Sequence, residues 1–239
     1  DNELYMIEVN PRGSRTVPFV SKTTGISWAK LATRVSLGQK ISDLNITEVI
    51  PKHYAIKEAV LPFNKFPQSD ILLSPEMKST GETMGIDASF DLAFYKSQVA
   101  AGQVFPTAGK AFVSLGDADK AAFVPIAKRL VTIGFTLIAT EGTAHYLKEH
   151  HIDSIPVGKI SEGQESILDY FNQKNIHLAF NTPSAKQSNP DEIIIRQQLV
   201  NRQIPYSTTI AGMTRIVEAI DAFQKESLSV KPLQDYYTV

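Results

Sequence analysis

The second half of this sequence predicts an α/β fold, a parallel five-stranded sheet with helices on both faces. The first observation is a set of five short apolar runs: Ala111 to Leu115, Phe135 to Ala139, Ile155 to Val157, Leu178 to Phe180, and a last one near Pro205 to Thr209. The second is that a helical pattern follows each of them, and strands alternating with helices imply parallel pairing with both faces covered. The third is a change of character near residue 104, because the preceding stretch, about 41 to 103, is broken by Pro51, Pro62, Pro67 and Pro75. The chain therefore divides into three regions, about 1–40, 41–103 and 104–239.

Taken in order, Leu4 to Val9 is a candidate strand stopped by Pro11 and Gly13. Ile26 to Leu37 reads as a helix, with Ser27 at its N-cap and Gly38 just past its end. Ile56 to Phe63 looks like a strand, Pro75 to Gly85 a turn and strand, and Phe90 to Gly102 a short helix starting near Ser89 or Asp91. Between Ala122 and Leu130, the residues Phe123, Ile126, Ala127 and Leu130 recur at helical spacing. Pro125 is awkward there, so that helix either begins late or tolerates a local defect. A final helix runs from about Ala211 to Gln224.

The 239 residues suffice for one large domain or two small ones with a substantial core. A net charge of −1 gives no electrostatic case for nucleic acid or an anionic membrane. No apolar run approaches the roughly 20 residues that span a bilayer, and no signal peptide is visible. Zero cysteines exclude disulfides and thiolate metal sites and fit a cytoplasmic protein. The chain opens on Asp1-Asn2-Glu3 without an initiator methionine, so it reads as a piece of something longer.

Two places carry chemistry. Near the start, Glu8 and Asn10 lie two residues apart, which on a strand puts a carboxylate and a carboxamide on one face. Paired oxygen ligands suit Mg²⁺ beside nucleotide phosphates, and Arg12 and Arg15 follow with forked donors. In the third region the carboxyl ends of the strands gather Ser114, with Lys120 beyond; Thr140-Glu141-Gly142-Thr143; Gly158-Lys159; and Asn181-Thr182-Pro183-Ser184. Ligands of open α/β sheets sit at that edge, and a glycine, hydroxyls, lysines and helix N-termini together make a phosphate cradle. Individually each has a plainer role: a helix cap at Thr140, surface lysines, a turn former at Asn181. The five histidines are scattered, and adjacent His150 and His151 make a poor metal pair.

Long stretches of this sequence resemble the end of the large subunit of carbamoyl phosphate synthetases: Ile7-Glu8-Val9-Asn10-Pro11-Arg12, Arg15 to Lys22, Val60 to Pro67, and Pro75 to Glu82. The third region, through Ala139-Thr140, Gly142-Thr143-Ala144, Lys159 and Asn181-Thr182, is similar to the methylglyoxal-synthase-like regulatory domain that closes that subunit. The resemblance implies that residues 1–40 are the remnant of the second ATP-grasp half, 41–103 a connecting segment, and 104–239 the allosteric domain.

It further implies ATP-dependent carbamoyl phosphate synthesis from bicarbonate and glutamine or ammonia, for pyrimidine and arginine biosynthesis, with Mg²⁺ or Mn²⁺ and ATP as cofactors. Glu8 and Asn10 would be the metal and ATP ligands, and Arg12 would serve catalysis near the phosphates. The partners implied are the remainder of the large subunit and the glutaminase small subunit. UMP or IMP would bind at Ser114, Lys120, Thr140, Thr143, Lys159, Asn181 and Thr182. Ornithine would bind at Glu82, Tyr206 and Thr208, although Ser207 stands where the family commonly has aspartate. The alternatives are a stand-alone methylglyoxal-synthase-like enzyme, whose aspartate base has no counterpart in Ser161-Glu162-Gly163-Gln164-Glu165, and a cyclohydrolase domain, which the Val60 to Glu82 match disfavours.

Overall fold

The computed structural model of the protein describes residues 3–65, 71–73, 76–158, 167–173, 175–183 and 190–237. Seven strands form two sheets among them. Strands β1 (Tyr54–Val60) and β2 (Gly81–Asp87) make an antiparallel pair, with Ile56 opposite Gly85 and Ala59 opposite Glu82. The other five are all parallel: β3 (Gly109–Ser114), β4 (Phe135–Thr140), β5 (Ile155–Val157), β6 (Leu178–Asn181) and β7 (Tyr206–Ser207). They stand in the spatial order β5-β4-β3-β6-β7. The chain winds outward from β3 to β5, crosses back to β6 and ends at β7, which creates a topological switch between β3 and β6.

Alternation along β3 shows why helices cover both faces. Ala111 and Val113 enter one core, with Phe123, Ile126 and Leu130 of α4 (Asp117–Thr132), Leu147 of α5 (Glu141–Glu149), and Met213, Ile216 and Ile220 of α8 (Ile210–Lys225). Phe112, between them, enters a second core with Ile167 and Phe171 of α6 (Ile167–Asn172) and Ile195 and Leu199 of α7 (Pro190–Asn201). Side chains of period two must serve opposite faces, so a strand apolar at every position needs helices on both. Pro125 lies inside α4, which runs through it from Asp117; the helix begins early and tolerates the defect. On the far side of α4, Arg129 and Lys225 both bind Asp221 of α8. Burial by itself would raise that carboxyl's pKa, but the hydrogen bonds from Arg129 and Lys225 prevail and hold it below the ordinary value.

The antiparallel pair joins this body through α3 (Phe90–Ala100), which packs on β2 and against α8. Ser89 caps α3, accepting from the Leu92 amide at 3.5 Å. The approach of α3 to β2 needs Gly85: a Cβ there would lie 1.9 Å from the Ala93 carbonyl oxygen.

Residues 3–53 carry α1 (Thr16–Thr24), not anticipated from sequence, and α2 (Trp28–Ser36) behind Ser27, whose side chain makes no capping bond. The expected strand at Leu4 to Val9 is absent: the segment is irregular and exposed. A strand exists through its ladder, and no described neighbour offers this segment one.

Candidate functional site

The switch between β3 and β6 gathers most of the residues expected to hold an anion. Ser114, the last residue of β3, pairs with Asn181, the last residue of β6. The Thr182 amide donates to the Ser114 carbonyl at 3.1 Å, and the Gly116 amide donates to Thr182 Oγ1 at 2.9 Å. From the other side the Leu115 amide donates to Thr143 Oγ1 at 3.2 Å, and Thr140 Oγ1 donates to Thr143 Oγ1 at 3.1 Å. The turn 114–116 is thus clamped by the Thr140-to-Thr143 turn on one flank and by Asn181-Thr182 on the other. Thr143, Asn181 and Thr182 are all buried, so these polar side chains serve the clamp itself.

Beside the clamp lies a cavity of about 420 Å³ lined by Ser114, Thr140, Glu141, Gly142, Val157 and Gly158, with α7 closing it through Asp191, Glu192 and Ile195. The 9-residue α5 starts there, with Glu141 and Gly142 in the lining, which brings its N-terminus to that space, while the 16-residue α4 starts at Asp117, just past Ser114 of the rim. Lys120 Nζ lies 2.7 Å from Asp117 Oδ1 and 3.5 Å from where a Gly142 Cβ would stand. The lysine therefore reaches the first turn of α5 at ordinary van der Waals distance. Lys120's hydrogen bond and charge hold the Asp117 carboxyl below its ordinary pKa. Lys159, the other expected cation, lies outside the described residues, as does the stretch 161–165.

Two groups were not legible in the sequence. Arg196 is completely buried, donating from Nη1 to Asn181 Oδ1 at 3.3 Å and lying 3.5 Å from Glu192 Oε2. Glu141, Asp191 and Glu192 bring three carboxylates to the cavity. The i,i+4 spacing of Glu192 and Arg196 was the available signal, but that spacing usually marks an exposed helix face.

The expected ornithine residues are not together. On the β1–β2 ribbon Glu82 faces Ala59, forms an ion pair with Lys57 at 3.4 Å and lines a shallow cleft with Arg15 and Lys22. Tyr206 instead shares a cavity of about 260 Å³ with Glu58, one residue along and on the opposite face of the ribbon. Burial raises the Glu58 pKa despite a hydrogen bond from Gln98 Nε2 at 2.6 Å. Thr208 follows β7 and is half-buried. Ser207 Oγ donates to the Thr209 carbonyl at 3.1 Å, while Thr209 caps α8 through the Gly212 amide at 3.2 Å.

At the N-terminal end Glu8, Asn10 and Arg12 do come together, without a strand. Asn10 Nδ2 donates to Glu8 Oε1 at 2.9 Å, and Arg12 Nη2 to Asn10 Oδ1 at 3.4 Å. All three are exposed. They offer two oxygen ligands where Mg²⁺ takes six, so they fit the metal only as part of a shell completed by nucleotide phosphates and water. No group of three or more His, Asp or Glu among the described residues is placed to hold a metal. No helix among them is long and apolar enough to cross a membrane.

Comparison with known proteins matches both ends of this arrangement. The MGS-like domain family matches residues 122–208, and the family described as carbamoyl-phosphate synthase L chain, ATP binding domain matches residues 1–44. Fold and matches together define an MGS-like α/β domain placed behind the end of a synthase ATP-binding domain. Over 98% of its length the chain is 46% identical to the carbamoyl phosphate synthase large chain of Nostoc sp., and over 98% it is 43% identical to that of Methanosarcina barkeri. The corresponding protein of Methanoregula boonei is 46% identical over 99% of the chain. Nearly the whole chain is thus similar to part of carbamoyl phosphate synthase large chains. It spans 21% of the Nostoc protein, 22% of the Methanoregula protein and 60% of the Methanosarcina sequence. These relatives lend no support to a stand-alone methylglyoxal-synthase-like enzyme.

Proposed function

We propose that this chain is the regulatory end of a carbamoyl phosphate synthase large subunit. Residues 104–239 form its nucleotide-binding allosteric domain, 41–103 the connecting segment, and 1–40 the close of the second ATP-grasp half. The observation that carries the reading is the clamp at the β3–β6 switch, which holds the Ser114 turn against the start of α5, and Ser114, Thr140, Glu141 and Gly142 line one cavity there. The ligand is a nucleoside monophosphate, UMP or IMP. Its phosphate is held by Lys120, Lys159, Thr140 and main-chain amides, with Ser114, Thr143, Asn181 and Thr182 shaping the floor.

The complete subunit would use ATP with Mg²⁺ or Mn²⁺ to make carbamoyl phosphate in the cytoplasm, supplying pyrimidine and arginine biosynthesis beside a glutaminase small subunit. Glu8 and Asn10 would contribute part of the metal shell, and Arg12 would contact phosphate. No glycine-rich phosphate loop is present in this sequence, so the isolated chain should form no carbamoyl phosphate. Regulation then requires the nucleotide to bind the less active state more tightly, since differential affinity is all a ligand can contribute.

Isothermal titration of the chain with UMP and IMP tests the reading. One of them should bind, and Lys159→Ala should weaken it by about 1.5–3 kcal/mol, the range for a hydrogen bond to a charged group. Absence of heat with both nucleotides would refute the assignment.

A second effector site is supported by the cavity between the β1–β2 ribbon and β7. Glu58, in place of Glu82, with Tyr206 would hold the ammonium of ornithine, and Thr208 would lie at the edge of that site.

A further inference from the structure

We propose that Arg196 is the positioning residue of the nucleotide cavity, a buried cation that orients Asn181 and neutralises Glu192 so that a phosphate-bearing ligand is accepted. The proposal rests on the nucleotide reading above. Arg196 projects from α7 between Ile195 and Leu199, both of them core residues, and has no exposed surface. An arginine is seldom placed there unless paired and hydrogen-bonded, because its charge cannot be neutralised by losing a proton.

A guanidinium only donates, so the Asn181 atom it meets must be the carboxamide oxygen. That leaves Asn181 Nδ2 turned toward the Ser114 carbonyl, 3.4 Å away, at the switch-point rim. Arg196 thereby fixes which end of the carboxamide faces the turn at Ser114, a residue of the cavity lining.

The second task is electrostatic. Glu141, Asp191 and Glu192 line the same cavity, and Lys120 is already engaged with Asp117. Glu192 Oε2 is buried and accepts no hydrogen bond among the described residues, although Arg196 stands at ion-pair distance. A phosphate entering this space meets carboxylates at close range in a poorly screened site. Arg196 cancels the innermost of these charges from behind the cavity wall, without needing to touch the ligand.

The test is titration of wild type, Arg196→Met, Glu192→Gln and the double variant with UMP or IMP, whichever wild type binds more tightly, and with the matching uncharged nucleoside. Arg196→Met should weaken the nucleotide about tenfold or more, the nucleoside much less, and adding Glu192→Gln should restore most of the loss. A purely structural arginine would lose nucleotide and nucleoside alike and show no rescue; that result overturns the proposal while the nucleotide reading stands. If Arg196→Met does not fold, Glu192→Gln alone decides. It should tighten nucleotide binding several-fold and steepen its salt dependence, and an unchanged affinity overturns the proposal. Failure of wild type to bind either nucleotide refutes the underlying reading and the proposal with it.

Discussion

At the scale of single residues, the decisive groups are polar side chains with little access to water. Glu58 is one whose cost can be measured. Burial opposes its ionisation more strongly than the bonds from Gln98 and the Ala59 amide favour it, so its folded-state pKa is raised. A raised pKa means that its stabilising contribution is fully present below the unfolded-state value and is lost as pH rises through the folded one. Glu58→Gln, which mimics the protonated form, should therefore raise the melting temperature at neutral pH, and the difference from wild type should vanish in mild acid. The same substitution should abolish any binding of ornithine, a charge kept for a ligand at some expense of stability. A melting temperature unchanged at both pH values would show that the carboxylate is not desolvated. Thr143 and Thr182 show the opposite use of buried polarity. Their hydroxyls accept the amides of Leu115 and Gly116, the residue before the N-cap of α4 and the N-cap itself.

At the scale of elements, α4 has a defective middle. It starts just past the Ser114 turn, and Pro125 sits near its centre and cannot donate the hydrogen bond due to the Ala121 carbonyl. An interior proline costs about 3 kcal/mol, while proline rigidity recovers up to about 1 kcal/mol by restricting the unfolded chain. Pro125→Ala should then stabilise the protein by about 2 kcal/mol in urea denaturation, with an unchanged m-value; destabilisation would show that the surrounding packing is adapted to the bend. The β1–β2 ribbon illustrates how little separates two readings of a strand. Glu58 and Glu82 lie on opposite faces because adjacent positions alternate. A residue chosen by motif alone can therefore be chemically right and still point the wrong way.

For the molecule as a whole, the last described residues return to the first helix. Tyr237 Oη donates to the Lys22 carbonyl, and Tyr236 Oη donates to the Ile86 carbonyl at 3.2 Å. The Tyr237 ring covers Gly25, whose left-handed φ of 75° ends α1 and whose missing side chain leaves the ring its place. His53 closes the group, edge-on to Tyr236 with ring centres 5.2 Å apart and Nε2 3.0 Å from the Thr23 carbonyl. The tail that follows α8 thus ties α1 to the β1–β2 ribbon. Changing both Tyr236 and Tyr237 to alanine should speed proteolytic cleavage between Thr16 and Leu44 several-fold while leaving the parallel sheet as stable as before, as hydrogen exchange would read it. Protection of α1 equal to that of wild type would deny the tail this role.

The sequence by itself determined the class of fold and pointed to the edge of the sheet where the candidate cavity lies. Strand and helix periods are local properties, and the polar turns at Thr140 and Asn181 follow directly from the strands that deliver them. It also specified the five strands and the last helix of the β3-to-α8 alternation to within a few residues, but gave α6 and α7 no bounds. Tertiary structure alone decided that Arg196 bonds Asn181, that Tyr206 shares a cavity with Glu58 rather than Glu82, and that Leu4 to Val9 forms no strand among the described residues. Each of these depends on which surfaces meet across long sequence separations. Burial, strand partners and charge balance are properties of that meeting, and no local spacing encodes them.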